Sequence, residues 1–267
     1  MKRLLQYAAW NWSIGRGPVS FLLGLGAAVE CILLFAAAAS PNQSHLGYGD
    51  LVEFAGVLWV VAAVYLALPL CAQIPQEIAA RHTHASCTAL TLPMPRWALI
   101  AGRALSVLLW FVTGMALQIV LLTVMWGPTT ALQDSVCAGC FQFDVTAKGQ
   151  LWWALADCSL MRVMIPTDWV GMLFTAIMLL VPSLLLPSAL VHSGWKRTAA
   201  ELAALADQAI LTVLMFQALV WNIGWEQIVQ SLQHSRAMAV SALIVAAIAT
   251  VLVAWGLWSV HRAELAE

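Results

Sequence analysis

Six long apolar runs constrain this chain more than any other feature. They fall at 18–39, 53–74, 98–126, 168–191, 203–223 and 237–259. Each reaches about 20 residues or more, enough to carry a helix across a hydrocarbon core of about 30 Å. The runs are continuous rather than alternating, and a barrel strand needs only about ten residues, so they read as helices. Only 9% of the 267 residues are charged and 62% are hydrophobic. A soluble domain carries about 25% charged residues. This chain therefore cannot clothe itself in a solvated surface and must face lipid. The expectation is an all-α polytopic membrane protein with six transmembrane helices in one domain over 1–267. A net charge of −1 offers nothing to nucleic acid.

Lys and Arg favour the cytoplasmic side. An inside N-terminus places Lys2, Arg3, Arg16, Arg81, Arg96, Arg103, Lys196, Arg197 and Arg262 in the cytoplasm. It leaves only Lys148, Arg162 and Arg236 outside. Both termini are then expected to be cytoplasmic. Trp97, Trp195 and Trp258 fall at inner ends of the runs, and Trp126, Trp152, Trp153, Trp169, Trp221 and Trp225 at outer ends. That is where amphipathic rings meet headgroups. Pro182 and Pro187 predict a kinked fourth helix, whose freed backbone groups need partners from neighbouring helices.

Lys2-Arg3 is followed only by short apolar pieces, broken by Gln6, Asn11 and Arg16, which is not the pattern of a cleavable signal. Leu4, Leu5, Ala8 and Trp12 share one face at helical spacing, with Lys2, Arg3 and Gln6 free to face water. Residues 1–17 thus read as an amphipathic helix lying in the inner interface; the plainer reading is a frayed terminus. Residues 40–52 read as a turn-rich loop. The external stretch 127–167 mixes Trp152, Trp153, Leu155, Leu160, Met161 and Met164 with Lys148, Asp157 and Arg162. It reads as a short helix lying on the outer surface, either as an anchor or as a cover over the mouth of a pathway.

Three cysteines fall in that external stretch, where oxidation is allowed. Cys137 and Cys140 form a C-x-x-C, and Cys158 follows. A zinc site needs a second ligand pair and a redox motif needs a thioredoxin-like setting, and neither accompanies it. A disulfide from Cys158 to Cys137 or to Cys140 is expected instead, with no metal. Enzyme signatures are missing: there is no G-x-x-x-x-G-K-[ST], H-E-x-x-H or G-x-S-x-G. The chain has no P-loop for ATP, and no cofactor of its own is expected. His82 and His84, two apart on a helix, point to different faces.

Ionisable and amide side chains inside apolar runs are costly and face a protein interior or an aqueous path. Glu30 lies near the middle of the first run, Gln118 within the third, and Asp207, Gln208 and Gln217 within the fifth. Two readings stand for Glu30: a residue of a translocation pathway, or one half of an interhelical pair. Asp207 is close enough to a membrane interface to be solvated.

Between the second and third runs lies a polar segment, 76–103. Glu77 comes first, then Leu90, Leu92 and Pro93, then Arg96, then Gly102-Arg103 opening the next run. This resembles the cytoplasmic loop of permease subunits of exporter-type (type 2) ABC transporters. That pattern runs from an acidic residue through Gly-Thr and a Leu-rich helix to Pro and Arg, then Gly-Lys/Arg. His84-Ala85 stands where the family has Gly-Thr. The resemblance implies a cytoplasmic coupling helix over 76–92 that docks on an ATPase, with Glu77, Arg81, His84 and Arg96 at the contact. It also implies an N-terminal elbow helix and two permease subunits, identical or related. Separate ATPase subunits hold ATP and Mg. The pathway is lined by the first, second and fifth spans, through Glu30, Gln208 and Gln217. The implied setting is a bacterial cell membrane, crossed several times, with a peptide or drug-like cargo, as in bacterial peptide-export and self-immunity systems. Two further readings stand beside it: a non-transporting sensor or assembly scaffold, and a redox or haem-handling protein built on the cysteines and histidines.

Overall fold

The computed structural model describes residues 2–43, 46–82, 97–136, 151–165, 169–189 and 195–220, with short pieces between 243 and 258. Among these residues the chain is almost entirely helical and holds no strand. Helix α1 spans Lys2–Ala39, α2 Tyr48–Phe54, α3 Val57–His82 and α4 Trp97–Val136. The short α5 (Leu151–Asp157) and α6 (Ser159–Met164) follow, then α7 (Trp169–Ala189) and α8 (Trp195–Val220).

Three helices are long and apolar enough to cross a membrane: Leu4–Ala39, Val57–Pro75 and Trp97–Val136. They point to a membrane protein. Helix α7 holds a shorter apolar stretch, Thr175–Ala189, and a further one lies at Ala246–Trp258. Helix α1 packs along both α3 and α4, α7 packs on α4 and α8, and α8 returns to α3. The core they enclose includes Val19, Leu34, Leu122, Leu185 and Leu211. Large apolar side chains on the outside, such as Phe21, Trp59, Val120 and Val213, are exposed. In water that surface is unfavourable, and in lipid it is the natural one.

Local differences from the sequence reading have identifiable causes. The expected N-terminal helix runs into the first span without a break, and Pro18 sits inside the continuous helix. Packing fixes this segment to the bundle. The ring of Trp12 stacks on Trp110 of α4 with centroids 3.7 Å apart. Ala8 and Asn11 are buried, while Leu5 is exposed. The side chain of Tyr7 covers Gly102, where an added Cβ would lie 2.5 Å from its Cδ1. The glycine of the Gly102-Arg103 pair therefore has a packing role in this fold. Part of the expected loop at 40–52 is α2, separated from α3 by Gly56 at φ 80. Only a residue without Cβ takes that left-handed conformation cheaply.

Helix α4 continues ten residues past the expected end of the third span, taking in the start of the expected external stretch. At 40 residues it is about 60 Å long, twice the hydrocarbon thickness. The described residues 151–165 of that stretch form two short helices rather than one, broken at Cys158. Ala154, Leu155, Cys158 and Leu160 are buried while Trp152 is exposed, so the pair is seated on the bundle by one face. Helix α8 begins eight residues earlier than the expected fifth span.

Candidate functional site

The interior of the bundle holds a partly open cavity of about 100 Å³. Helix α1 contributes Leu23, Gly26, Ala27 and Glu30, and α3 contributes Val61, Val64, Tyr65 and Leu68. Helix α4 adds Phe111, Gly114, Met115, Leu117 and Gln118, and α7 adds Thr175, Met178 and Leu179. Leu160 and Met164 of α6 close part of it. Gly26 sets the width between α1 and α3, since a Cβ there would lie 2.9 Å from Val64 Cγ2.

Glu30 is 2% exposed. Gln118 Nε2 donates a hydrogen bond to its Oε2. Its other oxygen has no hydrogen-bond partner, and no cation pairs with it, among the described residues. The walls are otherwise mostly apolar, with Thr175 among them and the Tyr65 and Phe111 rings 5.2 Å apart, tilted against each other. An acid so placed is an expensive group to bury without a counter-charge. The cavity has room for about three waters or one small organic group.

Beside the cavity, two prolines inside helices free backbone carbonyls that side chains of neighbouring helices answer. Pro69 has no N–H, so the carbonyl four residues earlier, on Tyr65, loses its helical partner. Gln208 Nε2 of α8 donates to that carbonyl at 3.3 Å. Pro182 likewise frees the carbonyl of Met178 in α7. The Tyr65 hydroxyl donates to it at 2.5 Å. The satisfaction demanded of neighbouring helices at Pro182 is met by this one tyrosine.

Gln208 therefore serves a backbone group between helices, away from the Glu30 cavity. It lines a smaller gap with Pro69 and Pro182. Its Oε1 is buried without a partner among the described residues. Asp207, expected near solvent, is instead 2% exposed, and both carboxylate oxygens lack a partner among the described residues. Helical periodicity turns it into the bundle, whereas sequence position alone suggested the interface. Gln217 lies on α8, with its side chain outside the described residues. Gln73 of α3, missed in the sequence, is 1% exposed with both polar atoms unpartnered among the described residues. Its signal was an amide enclosed by the apolar run of the second span.

Glu77 and Arg81 fall in the last turns of α3, continuous with the second span, with their side chains outside the described residues. His84 and Arg96 lie outside the described residues, as do Cys137 and Cys140. Cys158 is fully buried at the start of α6. Nearby, the Tyr48 hydroxyl donates to the Leu122 carbonyl at 2.7 Å. Burial, with the thiols of Cys158 and Cys31 close by, holds this phenol well above its usual range, so it stays a neutral donor. No group of three or more His, Cys, Asp or Glu that could hold a metal occurs among the described residues.

The three long apolar helices point to the class of helical membrane proteins. No protein-family model, no curated protein and no solved structure matches the chain.

Proposed function

We propose that this chain is the membrane-spanning permease subunit of an exporter-type ABC transporter. It crosses the cell membrane six times with both termini in the cytoplasm. It pairs with a second permease subunit and rests on separate ATPase subunits that hold ATP and Mg. The observation that carries this reading is a buried carboxylate that pairs with Gln118 of the neighbouring helix through one oxygen and lines a cavity between helices, where an intramembrane acid serves a pathway as well as packing. The loop pattern from Glu77 to Arg103 supports it. So does the course of α3, one helix from the cavity wall at Tyr65 to Glu77 and Arg81, with Pro69 and Pro75 inside it. Sixteen residues of helix separate Tyr65 from Arg81, about 24 Å. A push at that end by a closing ATPase dimer reaches the cavity through the same helix. ATP shifts the permease only by its differential affinity for the two states. The cargo on this reading is a peptide or drug-like molecule.

Purification of the tagged chain from its native membranes tests the proposal. Recovery of a P-loop ATPase, with hydrolysis stimulated by candidate cargo after reconstitution, is the expected result. Recovery without any ATPase leaves the sensor or scaffold reading in its place. In the reconstituted complex, Glu77→Lys or Arg81→Glu lowers cargo-stimulated hydrolysis by about 5–150-fold, the span of a coupling energy of about 1–3 kcal/mol, with insertion unchanged. Full stimulation in both variants removes these residues from the contact. Topology is tested separately at two exposed positions, Ser135→Cys and Ala199→Cys. An impermeant thiol reagent labels them from opposite sides of the membrane; labelling from one side overturns the six-span arrangement.

A further inference from the structure

We propose that the Glu30 cavity binds a small primary amine, holding its ammonium against the carboxylate and its carbon chain against the apolar walls. The proposal rests on the cavity being a ligand site, as in the transport reading, but it requires no ATPase. Four observations lead to it. Glu30 Oε2 is occupied by Gln118 Nε2, while Oε1 has no partner among the described residues. Gln118 is a neutral donor, so it orients the carboxylate without cancelling its charge. No cation of the described chain fills the role of counter-ion. Apart from Gln118, Tyr65 and Thr175, the lining beyond the carboxylate is apolar and soft, with Met115, Met178, Leu68 and the ring of Phe111.

Each feature selects against another ligand class. An anion meets the Glu30 charge. A metal ion finds one carboxylate and no further charged ligand in the lining, too few for a hard cation that takes six or more oxygens. A neutral hydrocarbon fills the walls but leaves the acid unpaired. A protonated amine supplies the counter-charge and three donors, and aromatic faces add cation–π attraction. A cavity of about 100 Å³ takes the ammonium and a few methylenes, and the open side leaves the rest of a longer chain outside.

The test is equilibrium dialysis of the detergent-purified full chain with hexylamine, hexanol and hexanoate, protein-free micelles serving as the blank. Hexylamine is expected to bind about tenfold or more tightly than hexanol, the scale of a charge-assisted hydrogen bond, and hexanoate not at all. Glu30→Gln is expected to bring hexylamine down to the level of hexanol with hexanol retention unchanged, which also shows that the cavity survives. Should that variant not fold, carbodiimide labelling of the wild-type chain replaces it. Hexylamine then protects Glu30 from modification, read by mass spectrometry, and hexanol does not. Equal retention of amine and alcohol by the wild-type chain overturns the proposal, as does labelling of Glu30 that is indifferent to hexylamine. Amine binding without any associated ATPase activity leaves this inference standing and removes the transporter reading alone.

Discussion

Glu30 and Asp207 are two acids buried to the same degree, each 2% exposed, in different walls of one bundle. Glu30 has an amide partner and opens onto a cavity. Asp207 has no hydrogen-bond partner for either oxygen among the described residues, and its neighbour Gln208 is spent on a backbone carbonyl. The pair teaches that burial alone does not identify a functional acid. The space in front of the group and the geometry of its partners do. One wall holds a charge facing room for a ligand; the other holds a charge sealed among helices.

Replacing each acid by Leu breaks this comparison most severely. Glu30→Leu strands the buried Gln118 amide and costs about 1–3 kcal/mol, read as a lower melting temperature in detergent. Asp207→Leu removes unpartnered polar atoms and leaves stability unchanged or raised. Loss of the same size in both variants shows that Asp207 has a partner in the native protein after all. Tyr65→Phe comes next, costing about 1–2 kcal/mol by leaving the Met178 carbonyl unpaired. Restoring an N–H with Pro182→Ala shrinks that cost in the double variant. A purely additive cycle disconnects the tyrosine from the kink. Gln208→Leu has the smallest effect, about 0.5–1.5 kcal/mol, because its bond at 3.3 Å is long. If its loss exceeds that of Tyr65→Phe, the order of the two stitches is reversed.

The helical class and the three long spans were legible because continuous apolar runs have few alternatives in a chain with so few charges. Glu30 was legible as the lone acid within its run, and Gln118 as an amide within another. Their meeting was not, since 88 residues separate them and only the packing of α1 on α4 closes the gap. The kink partners were half-legible. Pro69 and Pro182 announce orphaned carbonyls at Tyr65 and Met178, but which side chain answers depends on how α3, α7 and α8 face one another. The third and fourth runs join the first and second in the cavity wall while the described residues of the fifth do not, and helix rotation sets that too. The merger of the N-terminal helix with the first span depends on ring stacking between Trp12 and Trp110, which no local pattern records.

The stitched prolines also impose an order of events during synthesis. The carbonyl that Pro69 frees on α3 is served by Gln208, a residue made 143 positions after Tyr65. Until α8 has been made, that carbonyl has no partner from α8, and a buried polar group left unsatisfied costs about 1–3 kcal/mol. The Tyr65 hydroxyl likewise waits for Met178. Helix α3 is thus left unfinished by its own half of the chain, and a protein truncated before α7 keeps both stitches open.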